Sequence, residues 1–423
     1  MAKLLIIADD FTGALDTGIQ FKKCGIPTQV FTNCELDIEE IKSNTEVLVV
    51  NTESRALSKE QAYESVKKIS HWAIEQGIEI IFKKTDSVLR GNIGIELQAV
   101  VDANPLETLF FLPGHPEIER ITKNGVCFVS GELLENSVFG NDPFNPVTKS
   151  YIPDIIKEQS DISAVSINNK ESIDNHIVNQ SKIVICDTLS VEDIDKRLDE
   201  LIQQNKLKLI AGCAALAGRL AKKLSFNRNG IKSFKKTEGL YVACGSLNEI
   251  TKKQVEYAEK RGFIRKHLTP EQKLQSDYYE TLEGKKFLNE ILELCKENKK
   301  IIVDTFNVNE NTNDYLETYN VSPDEVRFVI PKAHGRIAEE IMSSGVDFTI
   351  LMTGGDTLMG YMKSIGCTQI KPICEIEKGV VVSEIEGNGN KQQVISKSGG
   401  FGTEDVFCRI AEKILNIKGR EVT

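Results

Sequence analysis

The residues most suited to chemistry lie in a charged run of the N-terminal half. The run Lys83-Lys84-Thr85-Asp86-Ser87-Val88-Leu89-Arg90-Gly91 follows an apolar stretch and brings cations, a carboxylate and a hydroxyl into one segment. Asp9 and Asp10 follow the apolar run at the start of the chain, and Arg55 follows another such run. A guanidinium holds a carboxylate through its planar fork, and a carboxylate accepts hydrogen bonds from hydroxyl groups. These residues predict a site for a small polyhydroxy acid, with a solvated loop and a helix-capping aspartate as the alternative.

Three glycine-containing segments of the C-terminal half have the composition of an anion site. They are Gly245-Ser246, Gly354-Gly355-Asp356-Thr357 and Ser398-Gly399-Gly400-Phe401-Gly402, each of which follows an apolar run and precedes a helical pattern. Free N–H groups at the start of a helix attract anionic oxygens, and glycine lets the backbone approach a ligand closely. Each of the first two segments alone fits an ordinary turn or N-cap about equally well. Three such junctions at one sheet end would form a nucleotide pocket, although neither a Walker A sequence nor the spaced glycines of dinucleotide folds is present.

Short apolar runs that alternate with helical patterns must position these residues. This alternation predicts the α/β class, with largely parallel sheets whose strands end at a ligand-binding edge. The polar stretch from residue 225 to 238 indicates a linker. We therefore predict two α/β domains, residues 1–230 and 238–423, with the active site in the cleft between them.

Two further regions carry expectations that the structure can test. Residues 126–147 contain turn residues and short strand-like pieces, and the segment is long and irregular enough to be a lid or an insertion. In the C-terminal half, the pattern predicts a long polar helical region over residues 270–298 and two separate helices over 323–328 and 334–342.

Composition narrows the class of partner. The formal net charge is −10 and the isoelectric point is about 5.3, so we expect neither nucleic acid nor an anionic membrane as a partner. The ten cysteines are scattered without a C-x-x-C pair, which is typical of reduced thiols. The N-terminal apolar run is too short for a signal peptide core, and no window reaches the length of a membrane span. We therefore expect a cytoplasmic protein.

Four runs together resemble the four-carbon acid sugar kinase family. They are Ile7-Ala8-Asp9-Asp10-Phe11-Thr12-Gly13-Ala14, Lys84-Thr85-Asp86-Ser87-Val88-Leu89-Arg90-Gly91, Gly354-Gly355-Asp356-Thr357 and Ser398-Gly399-Gly400-Phe401-Gly402. The resemblance covers nearly the whole chain in the family's order. It implies an N-terminal sugar-acid-binding domain, a C-terminal nucleotide-binding domain, and phosphorylation of D-threonate, D-erythronate or 3-oxo-tetronate with ATP.

The resemblance also implies roles for individual residues. Contacts to ATP are implied for Ser246, Gly354, Gly355, Asp356, Thr357 and Gly400. Contacts to the sugar acid are implied for Asp10, Arg55, Lys84, Asp86 and Arg90, and the strand-end position of Asp9 adds it to this set. One departure concerns the family's Pro-Glu-x-Gly-Arg pattern, because Glu119 replaces the glycine before Arg120 and His115 precedes the motif. This departure bears on which acid is bound.

A mechanism follows as a hypothesis. The substrate carboxylate would be held by three cations, Arg55, Lys84 and Arg90. Asp10 and Asp86 would hold the hydroxyls and are the candidate bases, with Asp356 as a rival. The terminal hydroxyl would face the γ-phosphate across the interdomain cleft, and Mg²⁺, whose protein ligands the sequence does not identify, would bridge the phosphate oxygens.

Three other functions remain open from the sequence. The chain could be a sensor that binds a sugar acid and a nucleotide without reaction, or a kinase for another small sugar acid. A third alternative is an α/β oxidoreductase, against which the missing glycine fingerprint argues. The partners expected for the kinase are a small sugar acid and ATP, and a homodimer is the assembly left open.

Overall fold

The chain forms two compact units, residues 1–231 and 232–423. The structure is a computed structural model that describes residues 2–36, 41–142, 145–174, 181–230, 233–245, 248–306, 312–322 and 325–416. Each unit is a mixed α/β structure with one main sheet. The predicted fold class, two α/β units with largely parallel sheets, is therefore confirmed.

The first unit contains a parallel sheet and a small antiparallel sheet. Its strands are β1 (Leu4–Ala8), β2 (Thr28–Phe31), β3 (Val47–Asn51), β4 (Ile80–Lys84), β5 (Leu109–Leu112), β6 (Arg120–Lys123), β7 (Val126–Val129), β8 (Glu132–Leu133), β9 (Ala164–Ile167), β10 (Ile183–Cys186) and β11 (Leu209–Gly212). The parallel sheet has the order β2-β3-β1-β4-β11-β5-β10-β9, and the small sheet, whose strands lie between β5 and β9 in the sequence, has the order β6-β7-β8.

Three of the six helices described in the first unit begin at a residue whose side chain accepts from a free N–H group. The six helices are α1 (Phe11–Lys23), α2 (Lys59–Glu75), α3 (Ile93–Ala103), α4 (Ile152–Lys157), α5 (Val191–Gln203) and α6 (Ala214–Lys223). Asp10 caps α1, and Ser58 and Ser190 form capping boxes at the starts of α2 and α5. The central strands β1 and β3 are buried along their whole length, as expected for a parallel sheet covered on both faces.

The second unit combines parallel strands with two antiparallel strands at one side. Its strands are β12 (Gly239–Cys244), β13 (Ile264–His267), β14 (Lys300–Asp304), β15 (Phe348–Thr353), β16 (Gln369–Glu377), β17 (Val380–Gly387) and β18 (Asn390–Lys397). Its helices are α7 (Glu249–Glu259), α8 (Pro270–Leu274), α9 (Leu282–Glu297), α10 (Thr312–Thr318), α11 (Val326–Ser343), α12 (Gly355–Ser364) and α13 (Val406–Ile414). The order is β13-β14-β12-β15-β18-β17-β16, parallel from β13 to β18 and antiparallel beyond it.

The structure differs from the sequence-based expectation in the helices of this unit. Instead of separate helices over 323–328 and 334–342, one helix, α11, runs through Pro331. Its packing explains the continuity, because a Cβ at Gly360 of α12 would lie 2.5 Å from the carbonyl carbon of Pro331. The glycine lets the two helices approach closely, and that packing offsets the hydrogen bond that proline cannot make. The predicted polar helix over 270–298 is divided into α8, a 3₁₀ turn and α9.

The segment predicted to be a lid or insertion contains two of the three strands of the small antiparallel sheet. Strands β7 and β8 lie within residues 126–147, and a 3₁₀ turn at Leu134–Asn136 follows them. The segment thus has hydrogen-bonded structure of its own. Its roles as an insertion or as a lid stay predictions.

Two expectations from composition can be compared with the structure. All ten cysteines are free thiols, as expected from a spacing without a C-x-x-C pair. Among the helices in the described ranges, none combines the length and the apolar character that a membrane crossing requires.

Candidate active site

The register of the first sheet brings the predicted acid-binding residues to one edge. Ala8 at the end of β1 lies opposite Asn51 of β3 and Lys84 of β4. The residues that follow each strand, which include the two aspartates, Arg55 and Asp86, therefore leave the sheet at the same edge. The sequence-based expectation of a common strand-end location agrees with this register.

Arg55 joins two strand ends through carboxylates of the chain itself. Its Nε donates to Asp9 Oδ2 at 2.8 Å, and its Nη1 lies 3.0 Å from Asp10 Oδ2. The other oxygen of Asp10 accepts from the Gly13 amide at 2.9 Å, so this aspartate caps α1 and pairs with arginine at once. Burial alone would raise the pKa of Asp9, but Arg55, Lys83 and Lys84 hold that pKa below its ordinary value. Both carboxylates are already held by a cation of the chain.

Arg90 makes a second arginine–aspartate cluster at the same edge. Its Nε donates to Asp86 Oδ2 at 2.7 Å and its Nη2 to Asp86 Oδ1 at 3.3 Å, while its Nη1 donates to Asp142 Oδ2 at 3.1 Å. Burial acts to raise the pKa of Asp86, but Arg55, Arg90 and Lys84 outweigh it and the pKa falls well below its usual range. Asp142 was not predicted as a site residue, although it lies in the segment expected to be a lid.

Two glycines let these clusters approach one another. A Cβ at Gly13 would lie 2.4 Å from Asp10 Oδ1 and 2.9 Å from Lys84 Nζ, so only glycine leaves room for both groups. Gly91 has a φ of +84°, and a Cβ there would lie 2.7 Å from Arg55 Cγ. Lys84 Nζ donates to the Thr85 carbonyl oxygen at 2.8 Å. The two arginine–aspartate clusters and Lys84 thus belong to one site.

A fully buried ion pair lies next to the strand-end aspartates. Lys83 Nζ lies 2.9 Å from Glu96 Oε2, and both side chains are inaccessible to solvent. Burial, opposed by Lys83 and reinforced by Asp9, raises the pKa of Glu96. Glu96 was missed by the sequence reasoning because it interrupts the apolar face of α3, where a single acid gives no pattern.

A third arginine, Arg120, reaches the site from β6. Its Nη1 donates to Ser87 Oγ, and its guanidinium lies 5.2 Å from the centre of the Phe139 ring, which Arg90 also contacts at 5.6 Å. Arg120 appeared in the sequence only as part of the departing motif. Glu119 before it has a φ of 57°, a left-handed conformation in which glycine is favoured, so the backbone path of the motif is kept despite the substitution.

The second unit also aligns its predicted ligand-binding residues at one edge. Cys244 at the end of β12 pairs with Thr353 of β15, and Thr353 pairs with Lys397 of β18. The glycine segments that follow these strands therefore leave the sheet together. Ser246, a predicted ATP contact, lies outside the described residues.

The Gly354 corner is arranged differently from the hypothesis. Gly354 has a φ of 100°, and its N–H donates to the Lys397 carbonyl oxygen at 2.9 Å, so this amide is already bonded. Helix α12 starts at Gly355 and includes Asp356 and Thr357 in its first turn, and no described N-cap side chain accepts from it. Thr357 Oγ1 donates to the Thr353 carbonyl oxygen at 3.0 Å. The amides of the first turn, rather than that of Gly354, suit anionic oxygens.

In the part of the unit that the structure describes, Gly400 has open space around it, and hydrogen bonds from α7 hold its loop in place. The nearest atom to a Cβ built there would be Asn248 Nδ2 at 4.0 Å, and Gly400 is not among the glycines with positive φ. Thr251 and Gln254 of α7 donate to carbonyl oxygens of the loop at 2.8 to 3.0 Å. Neither the backbone geometry nor the packing of the described residues requires a glycine at 400, and its contact with ATP stays a prediction.

A buried lysine at the base of this loop was missed by the sequence reasoning. Lys397 is 1 % exposed, and its Nζ donates to the carbonyl oxygens of Ser398 at 3.0 Å and Gly399 at 3.4 Å. Burial lowers the pKa of Lys397 to about 8. A single lysine at the end of an alternating strand gives no signal of burial, because the sequence does not reveal which face of that strand is covered.

Comparison with known proteins adds to this geometry. The model of a sugar-binding N-terminal domain matches residues 4–220, and that of a nucleotide-binding C-terminal domain matches residues 241–407. The chain is 27 % identical to a D-threonate kinase of Salmonella typhimurium, over 96 % of this chain and 97 % of that protein. It is 23 % identical to a D-erythronate kinase of Heliobacterium modesticaldum over 98 % of each. A 3-oxo-tetronate kinase of Haemophilus influenzae is 24 % identical over 95 % of this chain and 97 % of that protein.

Solved structures share the fold. A protein of Salmonella typhimurium LT2 has a TM-score of 0.80 at 20 % identity, with 98 % of this chain and 100 % of that chain covered. A protein of Haemophilus influenzae has a TM-score of 0.73 at 21 % identity, with 97 % and 100 % covered. At these identities the likeness concerns the arrangement of the chain alone.

Proposed function

The chain belongs to the four-carbon acid sugar kinase family, and from this premise we propose that it transfers the γ-phosphoryl group of ATP to the terminal hydroxyl of a four-carbon sugar acid. The kinases that it resembles act on D-threonate, D-erythronate and 3-oxo-tetronate, which gives the range of acids. The observation that carries the proposal is the convergence of two arginine–aspartate clusters at the strand ends of the first unit.

On the acid side, Asp10 and Asp86 would accept hydrogen bonds from the substrate hydroxyls. Arg55 and Arg90 fix both carboxylates, so the acceptors are oriented before the acid arrives. The low pKa of Asp86 makes it a weak proton acceptor. Phosphoryl transfer through a loose transition state asks little of a base, so orientation of the attacking hydroxyl is the main work of this residue. Asp9 and Lys84 complete the predicted acid-binding set.

On the nucleotide side, the glycine corners of the second unit would bind ATP. The first-turn amides of α12 at Gly355, Asp356 and Thr357, and the exposed backbone at Gly400, are suited to phosphate oxygens. The contact from Ser246 stays a prediction. Among the described residues, no group of three or more His, Cys, Asp or Glu could hold a metal ion. Mg²⁺ bound to ATP would neutralise phosphate charge and would be held largely by the phosphates themselves, as is usual for this ion.

A panel of sugar acids tests the proposal. The protein is incubated with ATP and Mg²⁺ and, separately, D-threonate, D-erythronate, 3-oxo-tetronate and five-carbon acids, and ADP is measured. We expect acid-dependent ADP formation with at least one four-carbon acid. Binding of an acid without ADP would instead support a sensor, and turnover of a five-carbon acid alone would point to another sugar acid. In a separate incubation with an acid and a nicotinamide cofactor, a change in the absorbance of that cofactor would support the oxidoreductase alternative.

Two coarser expectations accompany this function. We infer a cytoplasmic location, for which the ten free thiols are supporting observations, and cell fractionation tests it. A homodimer stays a prediction, which the mass of the protein in solution tests.

A further inference from the structure

Two of the arginines at the acid site each contact two carboxylates of the chain itself. Arg55 contacts Asp9 and Asp10, and Arg90 contacts Asp86 and Asp142, so each of these arginines already serves two carboxylates. Neither guanidinium can give its full fork to a substrate without releasing an aspartate, and such a release would cost free energy because the freed carboxylate is at least partly buried.

Arg120 is the arginine of this site that has no carboxylate partner among the described residues. Its one described side-chain hydrogen bond is from Nη1 to Ser87 Oγ, and its Nε and Nη2 donate to no described residue. The Nε and Nη2 donors form one side of the planar guanidinium, the side that matches the two oxygens of a carboxylate. The guanidinium lies over the Phe139 ring, 5.2 Å from its centre, in a cation–π contact that helps to hold it in place.

The environment of Arg120 favours an anion at this position. The side chain is half-buried, and burial, opposed by Asp86 and reinforced by Arg90, holds its pKa below the ordinary value. A desolvated cation gains most from a ligand that supplies the missing negative charge. Because Ser87 follows Asp86 directly, a ligand held by Arg120 lies close to the carboxylate proposed to orient the hydroxyls.

We infer that Arg120 binds the carboxylate of the acid substrate, and that Arg55 and Arg90 instead hold the aspartates that bind its hydroxyls. The inference rests on the proposed function and deepens it. Glu119 contributes to this arrangement through its backbone, because its exposed side chain accepts from Ser130 Oγ at 3.0 Å. The change in the family motif therefore leaves the direction of Arg120 intact.

The test compares an acid with its neutral amide. The four-carbon acid that is turned over and its amide, for example D-threonate and D-threonamide, differ only in the charged group, so the ratio of their kcat/KM values measures recognition of the carboxylate. In Arg120→Ala we expect kcat/KM for the acid to fall about 100-fold or more, with a change below about threefold for the amide. Arg120→Lys keeps the charge without the planar fork, so its kcat/KM for the acid should lie between those of the wild type and Arg120→Ala. Added guanidinium ion should restore turnover of the acid by Arg120→Ala at least about tenfold.

Controls separate this role from a structural one. The Arg261 guanidinium lies 3.8 Å from the centre of the Tyr257 ring in the second unit, so Arg261→Met removes another arginine in a cation–π contact and should leave the turnover of both substrates unaffected. The dissociation constant for ADP should be unchanged in all Arg120 variants. Equal losses for acid and amide, or no loss for either, would overturn the inference.

Failure of the proposed function gives a different result. If wild-type protein forms no ADP with any four-carbon acid, the function is wrong, and binding of acid and amide is then measured by calorimetry. Loss of the preference for the acid in Arg120→Ala still supports carboxylate recognition by this residue. A retained preference overturns it.

Discussion

Replacement of Gly400 by valine should separate nucleotide binding from folding. Among the described residues, Asn248 Nδ2 at 4.0 Å is the only atom within 4 Å of a Cβ built at this position, and the backbone there does not have positive φ. A side chain at 400 should therefore change the free energy of unfolding by less than about 1 kcal/mol. It would project into the space where we place phosphate oxygens and would hold them away from the backbone.

The expected loss of affinity follows from the bonds that would be broken. A hydrogen bond to a charged group contributes about 1.5–3 kcal/mol, which corresponds to a rise of about 10- to 150-fold in the dissociation constant. Isothermal titration calorimetry with ADP measures this constant, and urea unfolding measures stability. Gly230 is a matched control, because it is also exposed, lacks positive φ and has no described atom within 4 Å of its Cβ position. Gly230→Val should leave ADP affinity unchanged. An unchanged affinity in Gly400→Val would refute the reasoning, and a large loss of stability would show that the glycine is structural.

Three further substitutions test other parts of the site. Asp86→Asn should lower turnover of the acid at least about 100-fold with ADP affinity kept; near-normal turnover would remove this residue from the mechanism. For Lys397, the folded pKa of about 8 lies below the ordinary 10.5, so the unfolded chain binds more protons between these values and stability should rise with pH. Wild type should gain about 3 kcal/mol from pH 8 to 10.5 relative to Lys397→Met in urea unfolding, and parallel curves would contradict the burial of a charged amine. Glu119→Gly should raise the free energy of unfolding by about 0.5–1 kcal/mol because it relieves a left-handed conformation. Destabilisation by that substitution would mean that the Glu119 side chain contributes more than its backbone position costs.

Elements with strong local periodicity were predictable from the sequence. The apolar runs that became β1, β4 and β15 end where polar residues begin, and parallel pairing then brings the strand ends to one edge. The joint location of Asp10 and Asp86 followed from this rule. Their roles in binding and catalysis stay predictions.

Features that depend on distant packing were not predictable. Arg120 and Asp142 enter the site from a segment whose path is fixed by β6–β8 and by contacts with Arg90 and Phe139, not by a local pattern. The continuity of α11 through Pro331 depends on a glycine in another helix. The bonded amide of Gly354 depends on a carbonyl group of a neighbouring strand. In each case the deciding partner is remote in the chain, so local propensity could not identify it.

The residues of the acid site come from two parts of the chain, which differ in how freely their sequences can change. Asp10, Arg55 and Asp86 follow central strands, where a change would disturb the whole sheet. Phe139 and Asp142 lie in the connecting segment 126–147, and connecting segments vary in length and composition more readily than the strands that they join. Changes in that segment could therefore alter which acid binds while the residues at the strand ends stay the same. New substrates would then be acquired without any change in the residues proposed to act in the reaction.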